Sequence, residues 1–461
     1  MRVLLLGMGS RGDVQPLLAL GEQLHGLGYA VSLAAPADLG HVVASSTVGF
    51  EPLSFDLEAP LRDGLGRDAL RGSATTQVRE ARLMRRVMAQ TAEALAGDVA
   101  RLVDEADAVV SGALTFDLVD ALLTPARGRR GASPPTKPHL YAVFAPVWPS
   151  AHGDSVALAM VPGRTATLNR TWSSLAGRVA FDLFRPAGDL VRTRRGLPRQ
   201  AFRHYAAAAR RTPTILGASA HVVPPAADWP PALRQTGYWF RQRSQAGALG
   251  GRLDAAVERF LAEGRAPVYV GFGSMPTPDP RGVVRGVVDV LASLGVRGLV
   301  SEGLGGLTLD GLAVEAAGLA LGVGATPHDL LFPRCAVVVH HGGAGTTAAA
   351  LRAGVPQVVV PHAADQPYWG RRMADLGVAA PPIARQDLTP ARLRAALDVA
   401  LSPRARHAAY ALGELVRAED GAADAARLVD TYLSRGRPSS RGTRARPRRA
   451  GGRPPRAARA W

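Results

Sequence analysis

One stretch, CAVVVHHGGAGTTAAALRAGVPQVVVPHAADQPYWGR from Cys335 to Arg371, restricts what this chain can be more than any other. It opens on the β-branched apolar run Ala336 to Val339, which reads as a buried parallel strand. His340, His341 and two glycines follow, then the small helix formers Ala344 to Ala353, stopped by Gly354. A second apolar run, Gln357 to Val360, supplies the next strand. The unit is strand, glycine turn, helix, strand, and open α/β sheets place ligands at such a strand's carboxyl end. The helix start offers free N–H groups from Gly343 to Thr346, two hydroxyls and the positive end of a dipole. That combination suits a phosphate.

The start of the chain has a comparable unit. Val3 to Leu6 reads as a buried strand, and Gly7, Gly9 and Gly12 spell G-x-G-x-x-G. A dinucleotide fold would need an acid at the end of the second strand to hold the ribose. The second strand, Ala30 to Ala34, runs instead into Ala35-Pro36, and Asp38 is a poor substitute, which disfavours a nicotinamide or flavin enzyme. Leu17, Leu20, Leu24 and Leu27 give the intervening helix one apolar face, with Pro16 in its first turn and Gly28 as its stop. Asp13, just ahead of that helix, has two readings: a capping carboxylate favoured by the dipole, or a general base at the strand's carboxyl end. At the ordinary carboxylate pKa near 4 it would be a weak base.

Taken together, HHGGAGTT and PHAADQPYWGRR resemble the donor-binding signature of two-domain (GT-B) nucleotide-sugar glycosyltransferases of family 1. The closest branch is the one holding sterol, macrolide and glycopeptide enzymes. GSRGDVQP (Gly9 to Pro16), DWPP (Asp228 to Pro231), GYWF (Gly237 to Phe240), GFGSM (Gly271 to Met275) and PHDLLFPRC (Pro327 to Cys335) fit the same branch. The resemblance covers roughly residues 1 to 434. It implies an α/β fold of two Rossmann-like domains facing across a cleft: an acceptor domain at 1–240, a linker at 241–251, and a donor domain at 252–434. The end of the last segment is expected to cross back onto the first domain.

The resemblance also implies roles. Asp13 would take the acceptor proton, as the catalytic base. Ser274, His341, Gly343, Gly345 and Thr346 would hold the donor diphosphate in place of a metal. Thr326, Pro327 and His328 would hold the nucleobase edge, and Asp365 with Gln366 would read the sugar hydroxyls. Ser10, Arg11, Phe144 and Trp148 are the candidate acceptor contacts; His152 and Asp154 read rather as loop residues. Ala325 and Ala349 stand where the plant branch has a tryptophan and a ribose-binding glutamate, so one handle for choosing between uridine and thymidine donors is gone. The implied activity is inverting transfer of a hexose from a UDP- or TDP-sugar to a hydroxyl of a macrolide, polyketide or sterol-like molecule. No cofactor is expected beyond the nucleotide-sugar co-substrate.

The two adjacent histidines do not suggest a metal site, because successive strand residues point to opposite faces. A lone lysine, Lys137, excludes a P-loop and argues against Schiff-base chemistry. The single cysteine, Cys335, reads as a small core residue. Of the formal net charge of +17, ten arginines with no acid lie from Arg435 to the end. That Gly, Pro and Ser-rich tail (435–461) cannot bury a core and reads as disordered, a candidate for weak contact with an acidic membrane rather than nucleic acid. MRVLLLGMGS is too short an apolar run for a signal peptide, and no run of 18 apolar residues occurs, so a cytoplasmic protein is expected. The readings in competition are a catalytically silent relative that activates a partner enzyme and the disfavoured nicotinamide oxidoreductase.

Overall fold

A computed structural model describes residues 1–44, 46–54, 74–125, 137–151, 155–158, 165–242, 252–273, 275, 277, 279–303, 306–312 and 318–435, and every structural statement concerns these. Ser274, His152, Asp154, most of the linker and the tail beyond Arg435 lie outside the described residues.

The first sheet holds β1 (Arg2–Leu6), β2 (Ala30–Pro36), β3 (Gly49–Leu53), β4 (Ala108–Ser111), β5 (His139–Val143), β6 (Thr214–Leu216) and β7 (Leu233–Gln235). The second holds β8 (Val268–Gly271), β9 (Gly298–Ser301), β10 (Ala320–Val323), β11 (Val337–His340) and β12 (Gln357–Val359). Their orders are β3-β2-β1-β4-β5-β6-β7 and β10-β9-β8-β11-β12, with every pairing parallel. The first-strand position of each sheet (β1, β8) therefore sits where strand order reverses, which opens a crevice at its carboxyl end. The residues following β1, β8 and β11 are those singled out from the sequence.

The helices used below are α1 (Arg11–Gly26), α2 (Ala74–Glu105), α3 (Ala166–Phe184), α4 (Phe202–Arg211), α5 (Ala344–Ala353), α6 (Gln366–Asp375), α7 (Pro403–Arg417) and α8 (Gly421–Arg435). In α1, Leu17, Leu20 and Leu24 are buried on β1 and β2 as their spacing requires. Leu27 is 50% exposed, against expectation, because the helix ends at Gly26 and leaves it at the cap.

Beyond β6 one more strand completes the first sheet: β7 pairs with it through Thr214↔Leu233 and Leu216↔Gln235. Leu233-Arg234-Gln235 buries one side chain only, as an edge strand does, and so leaves no apolar run to find. The alanine-rich stretch 408–433 is two helices, α7 and α8, broken at 418–420.

That break is where the chain returns to the first domain. Ala422, Ala425, Ala426, Val429 and Leu433 of α8 join Val3, Leu17, Leu20 and Leu33 in one core, and Tyr29 Oη donates to Asp430 at 2.6 Å. The outgoing crossing is anchored by Arg241, whose Nε donates to both oxygens of the buried Glu22 at 3.0 Å. The returning crossing is tied by Ser219 Oγ donating to Glu419 at 2.7 Å. The crossings touch at two glycines: Gly237 has φ +89°, and a Cβ at Gly421 would lie 2.5 Å from the Gly237 carbonyl carbon.

An alanine in a helix ordinarily gains about 1 kcal/mol over glycine. At Gly421 the backbone contact reverses the sign. Gly421→Ala is expected to destabilise by about 1–3 kcal/mol, seen as a lower unfolding midpoint by calorimetry; a raised midpoint would show that the crossing yields.

Candidate functional site

The first wall of the cleft is the turn from β1 into α1. Helix α1 begins at Arg11, so Asp13 is in its first turn rather than ahead of it, and Ser10 is the N-cap. Ser10 Oγ accepts from Gly12 N at 3.3 Å, and Asp13 Oδ2 accepts from Ser10 N at 3.1 Å, a reciprocal capping box. The capping reading of Asp13 is thus real, and it leaves the carboxylate aimed at the cleft. Gly9 makes the geometry available: a Cβ there would stand 2.1 Å from Asp13 Oδ2. Burial first, and then the Asp365 carboxylate across the cleft, raise the Asp13 pKa to about 7 against the lowering pull of the Ser10 N–H. The weak base expected from an ordinary carboxylate is therefore corrected to one poised near neutrality.

The second wall is built from the ends of β8 and β11. His340, the last residue of β11, is fully buried; its Nδ1 accepts from Gly342 N at 3.0 Å, and its Nε2 lies 2.8 Å from Gln357 Oε1. Both nitrogens serve the fold. His341, one residue on, turns into the cleft with its ring at 86° to that of His340. Its ring lies between two glycines, where a Cβ at Gly343 would be 2.6 Å from Nε2 and one at Gly273 would be 3.2 Å from Cε1. Burial lowers its pKa to about 4, so the ring is neutral, and Nδ1 has no hydrogen-bond partner among the described residues. Gly343 caps α5 with no side-chain hydrogen bond, which leaves the N–H groups of the first turn, including Gly345 and Thr346, facing the cleft.

The walls meet. A Cβ at Gly345 would lie 3.6 Å from the Gly12 Cα, so the first turns of α1 and α5 oppose each other. The first turn of α6 closes the same space. Asp365 Oδ2 accepts from Trp369 Nε1 at 2.7 Å, and burial raises its pKa. Gln366 departs from the expected pair: its Oε1 accepts from His362 N at 2.7 Å and Ala363 N at 3.0 Å, leaving Nε2 toward Met275 Sδ at 3.5 Å. The amide oxygen holds a loop in which Ala364 takes φ 55°, an unusual value for a residue with a side chain. Only the amide nitrogen remains for a ligand.

On the outer side of β10, Thr326 Oγ1 donates to Gly324 O at 3.0 Å, Pro327 caps a short helical turn, and the His328 ring stacks on Phe332 at 4.2 Å and 14°. Burial, helped by Arg11 and His341, lowers the His328 pKa to about 4. Burial lowers the pKa of Arg11, one of the expected acceptor contacts, and the charge of Asp329 on the second domain opposes that shift. Ser10 serves as the cap. Phe144 stands edge-on to Trp239 at 5.2 Å. Trp148 is only 4% exposed and packs edge-on to Tyr141, so it is core rather than a contact surface.

Asp228, first letter of DWPP, accepts from Ser150 Oγ at 2.8 Å and Ala151 N at 2.6 Å and so fixes the loop after β5. Nothing local in the sequence signals that pairing. Cys335 is buried and its thiol is pushed up to about 12, as an inert core residue requires. No described helix is long and apolar enough to cross a membrane.

Comparison with known proteins places this geometry in context. Residues 3–110 match the family model of the glycosyltransferase family 28 N-terminal domain, and residues 319–426 that of the erythromycin biosynthesis protein CIII-like C-terminal domain. Over 94% of its length the chain is 30% identical to sterol 3-beta-glucosyltransferase UGT80B1 of Arabidopsis thaliana, of which it spans 68%. It is 33% identical to O-mycaminosyltylonolide 6-deoxyallosyltransferase of Streptomyces fradiae over 94% of this chain and 97% of that one. With vancomycin aglycone glucosyltransferase of Amycolatopsis orientalis the figures are 32%, 95% and 99%. Among solved structures, glycosyltransferase VinC in complex with DTDP superposes with a TM-score of 0.59 at 20% identity, covering 94% of this chain and all of that one.

The Asp13 pKa has a consequence for stability. Between about pH 4 and pH 7 the folded chain keeps a proton that the unfolded chain has released, so this group's contribution to stability falls as pH rises through that window. Asp13→Asn keeps a cap acceptor and removes the charge. Its unfolding midpoint is expected to exceed the parent's at pH 8 and to match it at pH 4; an equal deficit at both would contradict a buried, proton-holding carboxylate.

Proposed function

Because the chain belongs to the GT-B nucleotide-sugar glycosyltransferases, in the branch of the sterol, macrolide and glycopeptide enzymes, we propose that it transfers a hexose from a UDP- or TDP-sugar to a hydroxyl of a lipophilic natural product with inversion. The observation that carries this reading is the meeting of the first turns of α1 and α5, which sets the Asp13 carboxylate opposite a helix start and an unpartnered histidine nitrogen. A base and an anion seat face one space.

In this scheme the acceptor hydroxyl gives its proton to Asp13 as its oxygen attacks the anomeric carbon. The bond from that carbon to the diphosphate oxygen breaks, and the electron pair leaves with the nucleoside diphosphate. An acceptor approaching from the Asp13 wall attacks the face opposite the diphosphate, so configuration inverts. A base poised near pH 7 accepts that proton far better than an ordinary aspartate. The N–H groups at the start of α5, the Thr346 hydroxyl and His341 receive the charge growing on the leaving group. This electrostatic role needs no metal. Asp365 keeps one oxygen and Gln366 its amide nitrogen for the sugar, and the His328 turn holds the base. Ser274 is assigned to the diphosphate on its motif alone. Similarity to a macrolide enzyme and a TDP-bound structural neighbour support the substrate classes.

Thermal unfolding of the full chain with millimolar UDP, TDP or NAD tests the donor. Saturation at about 100 times the dissociation constant adds about 2.7 kcal/mol. A higher midpoint with UDP or TDP, but not NAD, is expected; a rise with NAD alone would overturn the reading. His341→Ala should weaken nucleotide binding by roughly 10- to 100-fold, the worth of a hydrogen bond to a charged group. Asp13→Asn should lower turnover by roughly 10²–10⁴-fold with nucleotide affinity kept. The parent's kcat/KM should rise with pH to a plateau, with an apparent pKa near 7, and Asp365→Asn should move that pKa down. A pKa unmoved in Asp365→Asn would separate the two carboxylates.

A further inference from the structure

Strand β11 is three valines and a histidine. Val337, Val338 and Val339 fill the core on both faces of the sheet, and His340 completes the strand with none of its surface exposed. A fourth valine would pack there without burying a polar ring, so packing alone does not account for the imidazole. Its bonds do. The Gly342 N–H can only donate and Gln357 Oε1 can only accept, which fixes the ring with its proton on Nε2 and its lone pair on Nδ1. Gln357 is held in turn: it is fully buried on β12, and its Nε2 donates to Met373 Sδ of α6 at 3.6 Å. Burial first, then the neighbouring His341, lower the His340 pKa to about 3 against the pull of Gln357, so the lone pair stays available at neutral pH.

What that lone pair holds is the turn into α5. Gly342 takes φ +88°, and a Cβ on it would stand 2.7 Å from Val359 Cγ1 and 3.1 Å from the Gln366 carbonyl oxygen, so the residue is wedged between β12 and the start of α6. On one side of it in the chain is His341, on the other Gly343, the N-cap of α5. A helix start is ordinarily fixed by a Ser, Thr, Asp or Asn side chain at the cap, and glycine supplies none. Such a side chain would also occupy the N–H groups that an anion needs. Here the fixing bond falls on Gly342 N instead, one residue ahead of the cap, and the first turn of α5 stays open.

We propose that His340 is a positioning residue for the donor: by accepting from Gly342 N it sets the turn that aims the His341 ring and the open N–H groups of α5 at the diphosphate, while Gln357 keeps Nδ1 the accepting nitrogen. His340 itself touches no substrate. The assignment rests on the transfer reading above, which names the diphosphate as the group the turn is shaped for. Histidine Nδ1 and asparagine Oδ1 are both bonded to Cγ, so an asparagine at this position can accept from the N–H two residues on, as in an Asx turn. Phenylalanine keeps the ring's shape and cannot accept. The two substitutions therefore separate bonding from packing.

The test is the affinity of the full chain for UDP and TDP, and for uridine and thymidine, which lack the diphosphate. It compares the parent with His340→Phe and His340→Asn, each below its own unfolding midpoint. His340→Phe should bind the parent's preferred nucleotide roughly tenfold or more weakly, because the buried Gly342 N–H loses its acceptor. His340→Asn should recover most of that loss although its smaller side chain lowers the midpoint. The corresponding nucleoside should bind all three proteins alike. Gln357→Leu, remote from the turn, removes the acceptor that holds the proton on Nε2 and should weaken nucleotide binding in the same way; it decides the matter where neither His340 variant folds. The assignment falls if His340→Phe binds nucleotide as the parent does or better than His340→Asn, if nucleoside affinity is lost in proportion, or if Gln357→Leu binds at the parent's level. A parent that binds neither nucleotide removes the transfer reading as well, whereas a parent that binds beside an unaffected His340→Phe removes this assignment alone.

Discussion

The site depends on two carboxylates held out of water on opposite walls of one cleft. Each is held by groups from its own wall. The Ser10 N–H and the bare Gly9 position Asp13, while the Trp369 indole N–H and the first turn of α6 hold Asp365. Neither has an ion-pair partner among the described residues; burial favours a proton on both, and the Asp365 charge adds to that at Asp13. A group that holds its proton loosely near neutral pH is suited to exchange one. The cost is an unsatisfied charge at higher pH, borne by the cores of both domains.

The same division of labour separates two neighbouring histidines. Strand alternation sends His340 into the core, where Gln357 and the Gly342 N–H occupy both its nitrogens, and leaves His341 at the strand's end, among glycines. The glycines are not interchangeable spacers. Gly273, Gly342 and Gly343 exist as glycines because an imidazole, the Val359 side chain or a left-handed turn takes the place of a Cβ. A rigid pocket for a planar ring follows from three absent side chains.

Much of this was legible in the sequence, for a physical reason. Strands buried on both faces must be apolar runs, and the turns that follow them must be glycine-rich where a helix start is left open, so β1, β8, β11 and α5 announce themselves. What escaped depends on distant partners. The Asp13 pKa is raised by burial in a cleft that the other domain helps close and by Asp365 from that domain; the Gln366 oxygen is taken by a loop that folds back on it; Asp228 finds its partners beside β5. Edge strand β7, with a single buried side chain, carries no pattern at all. Arg11, at the start of α1, feels the charge of Asp329 only because the two walls lie close together.

The placement of α8 bears on how the chain is made. Residues 422–433 fill the same core as β1 and α1, so the first domain lacks one wall of its interior until the chain has passed through the whole second domain. During that interval Leu17, Leu20 and Leu24 have an uncovered flank, and the second domain, whose strands lie within one continuous stretch, is free to assemble before the first is complete. The order of synthesis and the order of completion are therefore opposite. Closing α8 over β1 and α1 joins the two halves as a finishing step, and a chain without α8 keeps an open seam in its first core.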